Sequence, residues 1–162
     1  MTKNSDRVTM ITRGAGTAAM YVALVLAFQP ISYGPVQLRA AEALTLLPCL
    51  WIEAIPGLFV GCLIANIFGG FGFIDIFLGS AATLAAAYLT YIAPNRTLAA
   101  AAPVVVNGIV VGGYISFLAG APPLLTMLYI ASGEAVACFA LGVPLVALLE
   151  RAGPLLNQGQ KS

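Results

Sequence analysis

Apolar residues run along this chain in long blocks, interrupted by short clusters of glycine, proline and polar residues. Blocks of that length predict helices that cross a bilayer, because a membrane barrel would instead show alternating segments of about ten residues. The first block, from about Gly14 to Gln29, ends against Pro30 and Pro35. Within it Ala15, Ala19, Ala23 and Ala27 recur at four-residue spacing on one face. Small residues in that register let a second helix approach closely, from within the same chain or from another subunit.

The block from Ala40 to Phe68 is too long for one straight span. At 1.5 Å per residue it would reach about 43 Å, against a hydrocarbon core of about 30 Å. It also holds Pro48 and Pro56. The pattern therefore predicts a short, tilted or kinked second span over about Arg39 to Glu53 and a third over about Pro56 to Phe68, with the turn near Pro56-Gly57. A glycine-rich loop follows at Gly69 to Gly72. A fourth span is predicted from Asp75 to about Ile92, a fifth from about Leu98 to Leu118, and a sixth from about Leu124 to Leu149 with a mild kink at Pro144.

Composition strengthens this picture. The 162 residues are 60% hydrophobic and 8% charged, with a mean hydropathy of +0.98; a soluble domain carries about a quarter charged residues. The expected fold class is an all-α integral membrane protein of six transmembrane helices. It forms a single domain over 1–162, with a cytoplasmic N-terminus at 1–13, the bundle at 14–150 and a cytoplasmic tail at 151–162. Six spans place Lys3, Arg7, Arg13, Arg96, Arg151 and Lys161 on one side and leave only Arg39 opposite. Five spans would split the basic residues almost evenly, so the positive-inside rule selects six with both termini cytoplasmic. The apolar run after the N-terminal basic residues is read as a retained first span rather than a cleaved signal, since everything after it is also membrane-embedded.

What the chain lacks narrows its function. A net charge of +1 offers no basic surface for nucleic acid. Cys49, Cys62 and Cys138 are dispersed in apolar stretches with no C-x-x-C pair, which reads as core cysteines rather than a metal site or disulfide framework. There is no histidine, no phosphate-binding G-x-x-x-x-G-K-[ST] loop and no nucleophile with a matched base. An enzyme is not expected, nor a cofactor, and ATP-driven transport would need another subunit to supply the energy. The two halves show no internal repeat, in contrast to many secondary transporters.

Charge inside the apolar blocks marks the candidate site. Arg39 and Glu42, three residues apart, fall on one helical face and can pair at a helix start. They can also form, with Gln37 and a stacking Tyr33, the outer wall of a ligand pocket. Glu134 lies about ten residues into the sixth span, where an ionised carboxylate costs about 2.5 to 3.5 kcal/mol and should face a cavity or partner. Asn107 and Tyr114, seven apart, share a face of the fifth span beside Gly108 and Gly112. An amide, a phenol and a carboxylate converging on an apolar pocket suit a flat polar heterocycle. Asn66 and Asp75 read as helix caps flanking the glycine-rich loop, and Glu53 as a residue of the cytoplasmic turn. Two other classes remain: a small oligomeric gradient-driven transporter or channel for a polar solute, and a structural subunit whose Glu134 pairs with another chain.

Several segments together resemble the QueT family. They are Val36-Gln37-Leu38-Arg39-Ala40-Ala41-Glu42-Ala43-Leu44, Glu53-Ala54-Ile55-Pro56-Gly57-Leu58-Phe59-Val60-Gly61-Cys62, Asp75-Ile76-Phe77-Leu78-Gly79-Ser80-Ala81-Ala82-Thr83-Leu84 and Gly133-Glu134. The resemblance implies a substrate-binding S component of an energy-coupling factor (ECF) transporter in the bacterial cell membrane. It implies a six-helix bundle with an outward site and the first loop as a lid, working with a transmembrane T subunit and two cytoplasmic ATPase subunits. It further implies a queuosine precursor as substrate, in the first instance the base 7-aminomethyl-7-deazaguanine, and docking on the T subunit through Ala15, Ala19 and Ala23. On that reading Glu134 and Asn107 meet the base edge and Gln37, Arg39 and Glu42 close the mouth, with Glu42 and Glu134 open to exchange.

Overall fold

The structure, a computed structural model, describes residues 3–28, 39–69 and 72–158. Among these there are six helices and no strand. Helix α1 is Lys3–Ala27, α2 is a 3₁₀-helix at Ala40–Cys49, and α3 is Ala54–Gly69. Helix α4 opens with a π-helical turn, Asp75–Gly79, and continues as Ser80–Ile92. Helix α5 is Arg96–Ala119. Helix α6 runs as Pro123–Ala135, a π-helical stretch Val136–Gly142, and Val143–Gln158. Four of the six, α1, α4, α5 and α6, are long and apolar enough to cross a membrane, while α2 and α3 are shorter apolar helices.

The bundle is organised around α2. Every residue from Ala41 to Pro48 is buried, although a helix on the periphery would bury only one stripe. Three residues per turn set these side chains in three rows, and each row meets a different neighbour. Leu44 and Leu47 join Tyr21 of α1 and Leu58 and Cys62 of α3 in one core cluster. Leu46 packs with Ala100, Cys138 and Val146 of α5 and α6 in another. Glu42 and Thr45 form the polar row, tied by a Thr45 hydroxyl donating to the Glu42 carbonyl at 2.6 Å. The 3₁₀ rise of about 2.0 Å per residue also stretches ten residues to about 20 Å, where an α-helix would reach about 15 Å.

Close contacts between backbones fix two helix pairs. A methyl group at Gly57 of α3 would sit 2.4 Å from the Gly14 carbonyl oxygen of α1, and one at Gly61 would sit 2.9 Å from the Tyr21 Cβ. In the other pair, a Cβ on Gly112 of α5 would fall 2.6 Å from the Met127 Cα of α6, and one on Gly108 would meet the Ala131 Cβ at 3.0 Å. In both pairs glycines four apart form the groove that receives the partner helix.

These contacts change the expected turn between the second and third spans. The chain breaks at Leu50 to Glu53, and Pro56-Gly57 lies inside the first turn of α3. Proline is tolerated there because the first amides of a helix have no intrahelical acceptor. Gly57 serves close packing against α1 rather than a bend. At Pro144 the expected kink is preceded by the π-helical stretch, in which the Val143 amide reaches back five residues to the Cys138 carbonyl.

Candidate ligand-binding site

Each of the six helices sends at least one polar side chain into the interior, and they gather in three linked groups. In the first, α2 places Glu42 at 0% exposure, where the Tyr21 hydroxyl of α1 donates to its Oε1. Its Oε2 is buried without a hydrogen-bond donor. In the second, Asn107 Nδ2 of α5 donates to Glu134 Oε1 of α6 at 2.8 Å, both residues being buried. The amide oxygen of Asn107 has no hydrogen-bond partner. The Cys138 thiol stands between these two groups, 3.7 Å from the Glu42 carbonyl oxygen and 4.0 Å from Glu134 Oε2.

The third group surrounds Asp75. Tyr114 of α5 donates its hydroxyl to Asp75 Oδ1, Asn66 Nδ2 of α3 donates to the Asp75 carbonyl at 3.0 Å, and Arg39 Nη2 lies 3.9 Å from Asp75 Oδ2. The π-helical turn beginning at Asp75 brings this carboxylate inward, and the absence of a side chain at Gly79 makes the room. A Cβ there would lie 2.8 Å from Asn66 Nδ2 and 3.1 Å from both Asp75 Oδ1 and the Tyr114 hydroxyl. Ser80, on the next turn, is also fully buried with its hydroxyl unpartnered. A hollow of about 180 Å³ between Asn66, Gly72 and Ile76 opens beside this group.

The residues expected from the sequence are placed as follows. Asn107 and Glu134 are in direct contact, and Glu42 is wholly buried rather than at a rim. Tyr114 shares a helix face with Asn107 but bonds to Asp75, not Glu134. Arg39 Nη2 lies 3.9 Å from Asp75 Oδ2. Tyr33 and Gln37 lie outside the described residues. Asn66 and Asp75, which read as caps, are instead interior hydrogen-bonding groups at 1% and 0% exposure. Tyr21 and Cys138 gave little signal, since a lone phenol or thiol in an apolar block resembles packing. Asp75 gave one that could have been followed: an acid in an apolar block demands a partner wherever it is buried.

A larger groove of about 400 Å³ lies between α1 and α3, lined by Met10, Ala15, Ala18, Pro56 and Val60 with Glu53 at its side. Its walls are almost wholly apolar, so it offers nothing to orient a polar ligand. The buried polar side chains gather in the interior cluster and not along this larger groove. The face of α1 that carries Ala15, Ala19 and Ala23 is exposed, while Thr17, Tyr21 and Val25 face inward.

Four apolar helices of membrane-crossing length around buried polar and charged side chains mark a membrane protein whose interior groups need partners or a ligand. The model of the family described as QueT transporter matches residues 11–151, and the chain belongs to that family. No curated protein and no solved structure matches it.

Proposed function

We propose that this protein is the substrate-binding S component of an ECF-type importer, and that its substrate is a queuosine precursor of the 7-deazaguanine class. The observation that carries this reading is the Asn107–Glu134 pair. A carboxylate and an amide held edge to edge, with the Asn107 oxygen still unpartnered, accept from the ring N–H and amino group of a guanine-like base. Burial makes the match selective, because a ligand lacking those donors would leave both acceptors unpaired. Family membership supports transport, and the absence of a phosphate-binding loop from the sequence supports dependence on outside ATPase subunits.

The partner reading rests on α1. Its exposed alanines leave a smooth face where a T-subunit helix can approach, and the apolar groove at Ala15 and Ala18 continues that face. The arrangement of charges supports both termini being cytoplasmic in a multi-pass protein of the bacterial cell membrane. Arg13 stacks over Trp51 at 5.7 Å, and Arg96 pairs with Glu150, at the end of the bundle away from Arg39 and Asp75.

The test is calorimetric titration of 7-aminomethyl-7-deazaguanine into the purified protein. Glu134→Gln should weaken binding by about a hundredfold or more while preserving the unfolding profile, since it removes a charged acceptor from a buried site. Equal affinity in the variant would remove Glu134 from the site. Ala19→Leu should leave ligand binding intact but prevent recovery of the complete transporter with its T and ATPase subunits; normal recovery would discard the docking face.

A further inference from the structure

Among the described residues, the buried charged side chains are Glu42, Asp75, Glu134 and a single cation, Arg39. Three carboxylates against one guanidinium is an imbalance that an apolar interior does not tolerate without compensation. Arg39 lies 3.9 Å from the Asp75 carboxylate. Glu134 is occupied by the Asn107 amide. Glu42 is held at one oxygen by Tyr21 and presents the other, Oε2, with no hydrogen-bond donor at 0% exposure.

The two glutamates therefore differ in kind. Glu134 and Asn107, joined by one hydrogen bond, leave the Asn107 oxygen as a buried acceptor beside the Glu134 carboxylate, suited to the donor edge of a base. Glu42 is a single pinned carboxylate with one free oxygen, suited to a compact point charge. The Cys138 thiol touches both the Glu42 backbone carbonyl, at 3.7 Å, and the Glu134 carboxylate, at 4.0 Å, so the two glutamates belong to adjoining parts of one buried polar cluster. We infer that Glu42 is the specificity-determining residue of this site: its carboxylate seats a cationic exocyclic amine on the ligand while Asn107 and Glu134 hold the base edge. This rests on the deazaguanine reading above and deepens it, because it selects the aminomethyl base over neutral precursors of the same ring. A nitrile in the same position offers Glu42 neither a charge nor a hydrogen-bond donor, leaving the buried oxygen as poorly satisfied as before.

The probes are 7-aminomethyl-7-deazaguanine and 7-cyano-7-deazaguanine, each titrated into the full-length protein in detergent. The wild type is expected to bind the amine at least about tenfold more tightly than the nitrile, as befits a charge-assisted contact in a desolvated site. Glu42→Gln keeps the shape and removes the charge; it should bring the two affinities to within about threefold by weakening the amine alone. Should that variant fail to fold, Glu42→Asp withdraws the carboxylate and should still cut the preference by about threefold or more. A glutamine or aspartate variant that keeps the full preference overturns the assignment, as does a glutamine variant that weakens both ligands equally. A wild type that binds both ligands alike also overturns it and leaves the deazaguanine reading standing. A wild type that binds neither ligand defeats that reading, and this assignment with it.

Discussion

Among the described residues, two ion pairs lie in contrasting settings. Arg96 and Glu150 join the start of α5 to the last turns of α6, with side chains 49% and 41% exposed. Arg39 and Asp75 join α2 to α4 with side chains 6% and 0% exposed, 3.9 Å apart and with Tyr114 and Asn66 attached to the same aspartate. The exposed pair has little at stake, because water solvates either charge when the other is removed. The buried pair has far more at stake, because no solvent replaces a lost partner. A buried ion pair adds little net stability, because desolvation offsets most of its attraction, yet breaking it by removing one partner is costly.

Removal of one buried partner should have the largest effect. Asp75→Ala leaves Arg39 without its ion-pair carboxylate and Tyr114 without its acceptor, and should cost about 3–5 kcal/mol of stability in reversible unfolding; a loss below 1 kcal/mol would mean that the pair is already solvated. Gly57→Ala should come next. Its added methyl meets the Gly14 carbonyl at 2.4 Å, forcing α1 and α3 apart at a cost of about 1–3 kcal/mol. An unchanged melting temperature would show that these helices separate freely. Arg96→Ala should be the mildest, at most about 1 kcal/mol and smaller still at high salt. A larger, salt-insensitive loss would erase the contrast between the two pairs.

A similar contrast within α1 shows how far the sequence could be read. Its alanine stripe was visible as a spacing, and the spacing alone fixes that Ala15, Ala19 and Ala23 share a face. Which way that face points depends on the glycines of α3, which draw the opposite side of α1 inward through Thr17, Tyr21 and Val25. Likewise Asn107 and Tyr114 were legible as one face of α5, but their partners were not. Glu134 and Asp75 come from different helices, and Asp75 lies in a π-helical turn that leaves no mark in hydrophobic periodicity. Asp75 was read as a cap because a polar residue beside a glycine-rich loop usually is one.

The sequence by itself determined that this is an apolar, helical membrane protein with few interior charges, because transfer of side chains into lipid depends on composition and block length alone. It also determined that Glu42 and Glu134 need partners, since the cost of a buried carboxylate does not depend on the fold. Only the tertiary structure decided who those partners are. Hydrogen bonds act over a few ångströms, so they depend on helix rotation, on glycine contacts and on the 3₁₀ course of α2 through the centre. That course buries Glu42 within the bundle, with its carboxylate against Tyr21 and its backbone carbonyl against Cys138.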